Sequence, residues 1–154
     1  MAPPADIRVA GAADVAAVAE LRARWSAGTN ADAGFRTRME AWLADEGDRR
    51  TTWLATIVDE LVGMASMLEY RRMPRPGRPD SRWGYVSNMF VREEHRNCGI
   101  GSALLTAIIG AADERGYARL VLSPSARSVP FYERAGFVVP DERAGDHRLL
   151  VRPR

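Results

Sequence analysis

The stretch YVSNMFVREEHRNCGIGSALLTAIIGAADERGYARLVL, Tyr85 to Leu122, constrains the fold more than any other part of the chain. It opens with an aromatic and β-branched run that reads as a strand. From Gly99 onward, Ile100, Leu104, Ile108 and Ala112 recur on one helical face. Arg115 falls in the last turn of that helix, and Gly116 suits the position just beyond its end. ARLVL then reads as a second strand. A strand–helix–strand unit is a crossover, so its two strands are expected to run parallel.

The flanking sequence adds antiparallel structure. DIRVA reads as a short first strand. Val15, Val18, Ala19, Leu21 and Trp25 then mark one helix face, and GTN interrupts the pattern. Phe35, Met39, Trp42 and Leu43 mark a second amphipathic helix ending near Gly47. TTWLATIVDELVGMASMLEY holds two β-rich runs around Asp59–Glu60, a hairpin signal. RRMPRPGRPDSRWG, rich in proline and arginine, reads as an exposed loop. After the crossover, SVPFYERAGF reads as a short helix closed by Gly136. FVV and HRLLV read as two late strands around PDERAGD. The expected order is β α α β β β α β α β β, a mixed α/β fold with a mostly antiparallel sheet and flanking helices. One domain over residues 1–154 is expected, since 154 residues can bury a substantial core.

Composition excludes several functions. One cysteine, Cys98, allows no internal disulfide framework, and with two histidines no metal site is expected. No apolar run reaches the roughly 20 residues of a membrane span, and the N-terminus lacks the charge pattern of a signal peptide. A cytoplasmic location and no membrane partner are expected. A net charge of +2 gives little pull on nucleic acid, which is not an expected partner. All 22 basic residues are arginine, so the protein offers no lysine for acylation.

The turn from Arg96 to Gly101 lies between a strand and a helix N-terminus. That end of a helix has unpaired N–H groups and a partial positive charge. Gly99 and Gly101 carry no Cβ, so an anion can approach the amides, and Arg96 adds a fixed charge. These parts suit a pyrophosphate. The same glycines also permit a tight turn and close helix–sheet packing. G-I-G-S-A-L is not the dinucleotide fingerprint G-x-G-x-x-G, and without lysine there is no Walker loop.

NMFVREEHRNCGIGSALL resembles the acyl-CoA-binding segment of the GNAT family of N-acetyltransferases, with its pattern R/Q-x-x-G-x-G/A after a strand. SPSARSVPFYERAGF, about thirty residues on, is similar to the family's second signature, a short helix with a tyrosine that ends in glycine–phenylalanine. The element order agrees over nearly the whole chain, which implies the GNAT (acyl-CoA N-acyltransferase) fold. The resemblance implies acetyl-CoA as cosubstrate. Its pantetheine arm would pair with the backbone of Met89, Phe90 and Val91, where the strand splays from its neighbour at a bulge. Its pyrophosphate would lie on Arg96, Asn97, Cys98, Gly99, Ile100, Gly101 and Ser102. Ser125 stands where the family often has asparagine and Ser128 where it often has alanine; either can bond CoA or cap the helix. Pro130 belongs in the first turn, which favours Ser128 as the cap. Many relatives pair, so a homodimer is a possible assembly.

Acyl transfer to an amine needs a neutral amine, donors for the oxyanion and a proton for the leaving thiolate. The resemblance makes Tyr132 the candidate catalytic acid and the amide near Met89 the oxyanion donor. Glu69 and Tyr85 are candidate bases or acceptor-site residues, with Glu93 and Glu94 behind them. The acceptor site is expected across the sheet from the CoA arm, bordered by the first two helices, with Trp25 and Phe35, and by the loop from Arg71 to Trp83. The expected function is N-acetyl transfer to a primary amine of a small molecule, amino acid or peptide, in a ternary complex. A non-catalytic acyl-CoA sensor and an acetyltransferase of aminoacyl-tRNA are the alternatives.

Overall fold

A computed structural model describes residues 3–26, 32–139 and 149–154. Its strands are β1 (Asp6–Val9), β2 (Arg50–Ile57), β3 (Glu60–Arg71), β4 (Arg82–Val91), β5 (Arg119–Leu122) and β6 (Leu150–Pro153). Its helices are α1 (Val15–Trp25), α2 (Phe35–Glu46), α3 (Ile100–Glu114) and α4 (Val129–Glu133). The strands form one mixed sheet in chain order, β1 to β6. Neighbours are antiparallel except β4 and β5, which run parallel as the crossover requires.

The two faces of the sheet pack different helices. On one face α3 sets Ile100, Leu104, Leu105, Ile108 and Ala112 against Trp53, Ala55, Val62, Ala65, Met67 and Val86. Burying each large aliphatic side chain there contributes about 1.5–3 kcal/mol, so this helix anchors the fold. On the other face Val18 and Leu21 of α1 meet Leu54, Met64 and Phe90. The α2 stripe behaves differently: no side chain of α2 is fully buried. Its apolar residues face a cavity rather than a filled core.

Local details correct parts of the sequence reading. The β2–β3 turn sits at Val58 (φ 49°) and Asp59 (φ 64°), one residue earlier than Asp59–Glu60. Both turn residues are left-handed, as in a type I′ hairpin, with valine where asparagine is usual. FVV does not form a strand. Val138 alone makes a bridge to Val151, and the last strand is β6. His147 and Arg148 of HRLLV, and the GTN interruption, lie outside the described residues. The arginine-rich loop closes the β3–β4 hairpin, with the Arg72 amide donating to Ser81 O at 2.9 Å. Arg82 at its base donates to Arg115 O at 2.8 Å, which ties this end of the sheet to the C-terminus of α3.

Candidate functional site

β4 and β5 pair only at Gly84–Leu120 and Tyr85–Val121; beyond Tyr85, β4 continues and no β5 pairing follows. On its other edge β4 is paired with β3 through a bulge. Ser66 faces Ser87 and Met64 faces Phe90, so Asn88 and Met89 together oppose Ala65. Asn88 takes φ 54°, a conformation asparagine tolerates better than most residues. The Arg92 amide donates to Val62 O, so strand alternation turns the N–H and C=O of Met89 and Val91 away from β3. They face the gap left by β5. The Val91 carbonyl accepts a 2.9 Å bond from Arg96 Nε.

The helix N-terminus opens into the same gap. Gly99 caps α3 at φ 83°, and a Cβ there would meet nothing within 4 Å. The first helical bond runs from the Ala103 amide to Gly99 O, which leaves the amides of Ile100, Gly101 and Ser102 without helical acceptors. At Gly101 a Cβ would lie 3.5 Å from the Phe131 ring of α4, an ordinary contact.

These elements bound a cleft of about 670 Å³ lined by Val91, His95, Arg96, Asn97, Gly99, Ile100, Gly101, Ser102, Ser125, Arg127, Ser128, Phe131 and Arg134. The cleft thus gathers nine of the residues singled out from sequence. Cys98 is exposed and lies outside the lining; its thiol is 3.4 Å from Arg96 O. The Phe90 side chain turns to the opposite face, where it stacks on Trp25 at 5.3 Å. The Met89 side chain packs against the α3-side core, so only its backbone can serve the gap. Ser128 stands at the cap of α4 but makes no capping bond; its hydroxyl bonds Ser125 O at 3.0 Å instead. Tyr132 is buried edge-to-face between Phe131 and Phe137, and burial raises its pKa above 10. Arg127 and Arg134 were not singled out from sequence. Together with Arg96 they give the cleft three guanidinium groups.

A second cavity of about 270 Å³ lies on the α1–α2 face. Val18, Phe35, Met39, Trp42, Leu43 and Met64 form its apolar wall, Thr52, Ser66 and Asn88 its polar side, and Arg22 and Arg38 complete the lining. Asn88 connects it to the bulge. A polar residue before MFV, in the middle of a β-rich run, was the available signal for Asn88. Neither cavity is lined by the loop from Arg71 to Trp83 or by Trp25.

Glu69 belongs elsewhere. It accepts bonds from Tyr117 Oη at 2.5 Å and Arg71 Nε at 2.8 Å, beside Arg82. Burial works against its carboxylate, but the Tyr117 and Arg71 bonds outweigh that and lower its pKa. Tyr117 is part of the α3-side core, so Glu69 is on the face opposite the second cavity. Tyr85 opposes Leu68 on β3 and Val121 on β5, outside both linings. Glu94 is held at about 2 by its own backbone amide and by Arg92 and Arg24, and it too lies outside both linings. Among the described residues no cluster of side chains suited to a metal occurs. None of the described helices is long and apolar enough to cross a membrane.

Comparison with known proteins gives concordant matches. Residues 15–137 match the pattern of the acetyltransferase (GNAT) family. A glucosamine 6-phosphate N-acetyltransferase of Trypanosoma brucei brucei is 31% identical over 77 residues, 50% of this chain and 50% of that protein. A phosphinothricin N-acetyltransferase of Streptomyces viridochromogenes is 27% identical over 140 residues, 87% of this chain and 74% of that protein. The chain thus spans about half the length of the first relative and more of the second. In fold, it superposes on a structure from Clostridium acetobutylicum described as a predicted acetyltransferase with acetyl-CoA. The TM-score is 0.73 at 21% identity, with 90% of this chain and 92% of that one covered.

Proposed function

Because the chain belongs to the acetyltransferase (GNAT) family, we propose that it transfers an acetyl group from acetyl-CoA to a primary amine of a small molecule. The observation that carries this reading is one cleft that combines the unpaired β4 edge with the open N-terminus of α3. An extended amide-bearing arm would satisfy the edge groups of Met89 and Val91. A pyrophosphate would satisfy the amides of Ile100, Gly101 and Ser102, with Gly99 leaving room and Arg96, Arg127 and Arg134 supplying charge. The residues present therefore fit acetyl-CoA, whose thioester would supply the activated acyl group.

The remaining chemistry falls to this chain. The Met89 amide donates to the carbonyl oxygen as it gains charge. The amine nitrogen bonds to the carbonyl carbon, the carbon–sulfur bond breaks, and the sulfur takes a proton as the nitrogen loses one. Tyr132 carries its proton at neutral pH, as a phenol does, and burial favours that form further, so it can give that proton. The second cavity, joined to the bulge through Asn88, is the acceptor site in this reading. Among the described residues its lining contains no carboxylate or histidine, so in this reading the amine enters neutral and its proton leaves through water.

The test has two arms. Acetyl-CoA at millimolar concentration should raise the melting temperature, and a panel of primary amines should release CoA thiol at a rate above hydrolysis. A melting shift without release from any amine would instead favour an acyl-CoA sensor. No shift would remove the CoA reading altogether.

A further inference from the structure

We propose that the α1–α2 cavity takes an amine of amino-acid size with an apolar body and one carboxylate, and that Arg22 is the residue selecting for that carboxylate. This inference rests on the acetyl-transfer reading and narrows its acceptor.

Three observations carry it. The first is size. The cavity, about 270 Å³, is less than half the size of the cleft at the N-terminus of α3, about 670 Å³, and lies at the small end of ligand pockets. That suits a small ligand of amino-acid size better than a nucleotide or a folded peptide. The second is the wall. Phe35, Met39, Trp42 and Met64 line the cavity with apolar side chains, so a body without charge is favoured against them.

The third is the charge balance. Two arginines line the cavity, and their situations differ. Arg38 is held by both oxygens of Asp32, at 2.8 and 2.9 Å, so its charge is matched. Arg22 has no carboxylate partner among the described residues. It lies over the Trp25 ring at 4.6 Å and donates through Nη1 to Ser26 Oγ at 2.7 Å. Both contacts orient the guanidinium and leave it other N–H donors. A single unmatched guanidinium suits a monoanion, and its planar fork suits a carboxylate. Among the described residues nothing acidic lines the cavity to compete for it.

The placement also suits the chemistry. Trp25, beneath Arg22, stacks on Phe90, which follows Asn88 and Met89 in the bulge. Arg22 and Phe90 thus contact the same indole ring, which ties the anion anchor to the strand segment that would hold the thioester carbonyl. An amine and a carboxylate close together in one acceptor, as in an α-amino acid, fit that proximity. The buried hydroxyls of Thr52 and Ser66 share one bond at 3.1 Å, so one hydroxyl proton is left over to bind a ligand oxygen or water.

The experiment measures CoA release for matched pairs: leucine, methionine and phenylalanine against the amines that lack only the carboxylate. Parent protein should favour the acids by at least tenfold in kcat/KM. Arg22→Gln should raise KM for the acids at least tenfold and narrow that preference, with the acetyl-CoA melting shift unchanged. Arg22→Lys should restore part of the preference. The inference is overturned if the decarboxylated amines are used equally well, or if Arg22→Gln keeps the preference. Turnover without preference removes this inference alone. No turnover by any amine removes the acetyl-transfer reading with it.

Discussion

Trp25 of α1 stacks on Phe90 of β4, with ring centroids 5.3 Å apart and planes 16° apart. The pair joins the helix bordering the α1–α2 cavity to the bulged strand bordering the cleft at the N-terminus of α3. Arg22 lies over the Trp25 ring at 4.6 Å, and Arg96 lies 5.7 Å from the Phe90 centroid. An aromatic pair of this geometry contributes about 0.5–1.5 kcal/mol beyond burial. A double-mutant cycle with Trp25→Leu and Phe90→Leu, read by urea unfolding, should give a coupling energy in that range. Additive losses would mean the rings touch without coupling.

Gly99 invites a pair of substitutions. Its φ of 83° penalises any side chain by about 1–2 kcal/mol, while a Cβ would point into open space. Gly99→Ala should therefore lower the melting temperature modestly and keep part of the acetyl-CoA shift. Gly99→Glu places a negative charge against the pyrophosphate position and should abolish the shift. Equal shifts in both variants would show that no anion binds at this helix end.

Tyr132→Phe separates chemistry from binding. Loss of the hydroxyl should reduce kcat roughly ten- to a hundredfold while the acetyl-CoA shift stays near that of the parent. Since burial raises the Tyr132 pKa above 10, its ionisation would shape only the alkaline end of the rate profile. A variant that loses acetyl-CoA affinity more than turnover would reduce Tyr132 to a binding residue.

The crossover from Tyr85 to Leu122 was legible because several signals agree there. The helical period, Gly99, Gly116 and the two β-rich runs all point to one arrangement, and the structure matches it. The α1–α2 cavity was harder. The α2 periodicity marked an apolar face at Phe35, Met39 and Trp42, but periodicity does not say whether that face meets a core or a space. Asn88 depends on the register between β3 and β4, which local sequence does not encode. Arg127 and Arg134 reach the cleft only through the docking of α4. Glu69 shows the reverse case: its place at a strand end suggested chemistry, and the β3–β4 pairing gave it Arg71, Arg82 and Tyr117 as partners.

Glu69→Gln follows from that arrangement. The substitution removes the charge that matches Arg71 and Arg82 and should cost about 1–2 kcal/mol. A carboxylate with a lowered folded pKa stabilises fully above its unfolded value, near 4.5, and the contribution fades as acid protonates it in the fold. Parent and variant should thus differ at pH 7 and converge toward pH 3 in melting temperature. The pH profile of turnover should be the same in both. A lost acid limb in the variant's rate profile would restore Glu69 as a base.

Gly84 and Gly110 should respond to alanine in opposite directions. At Gly84 a Cβ would stand 2.7 Å from Met67 Sδ and 2.8 Å from a Leu120 methyl. Both neighbours are almost fully buried, so neither has space to retreat. Gly84→Ala should cost about 1–3 kcal/mol. The site also pairs β4 with β5 just before the strands separate, so the acetyl-CoA shift should fall as well. Gly110 lies in α3 with nothing within 4 Å of its Cβ position, and alanine there should add up to about 1 kcal/mol through helix propensity. Chemical unfolding of both variants checks the signs. A stable Gly84→Ala protein would mean the β4–β5 contact is looser than the tight approach at Gly84 requires.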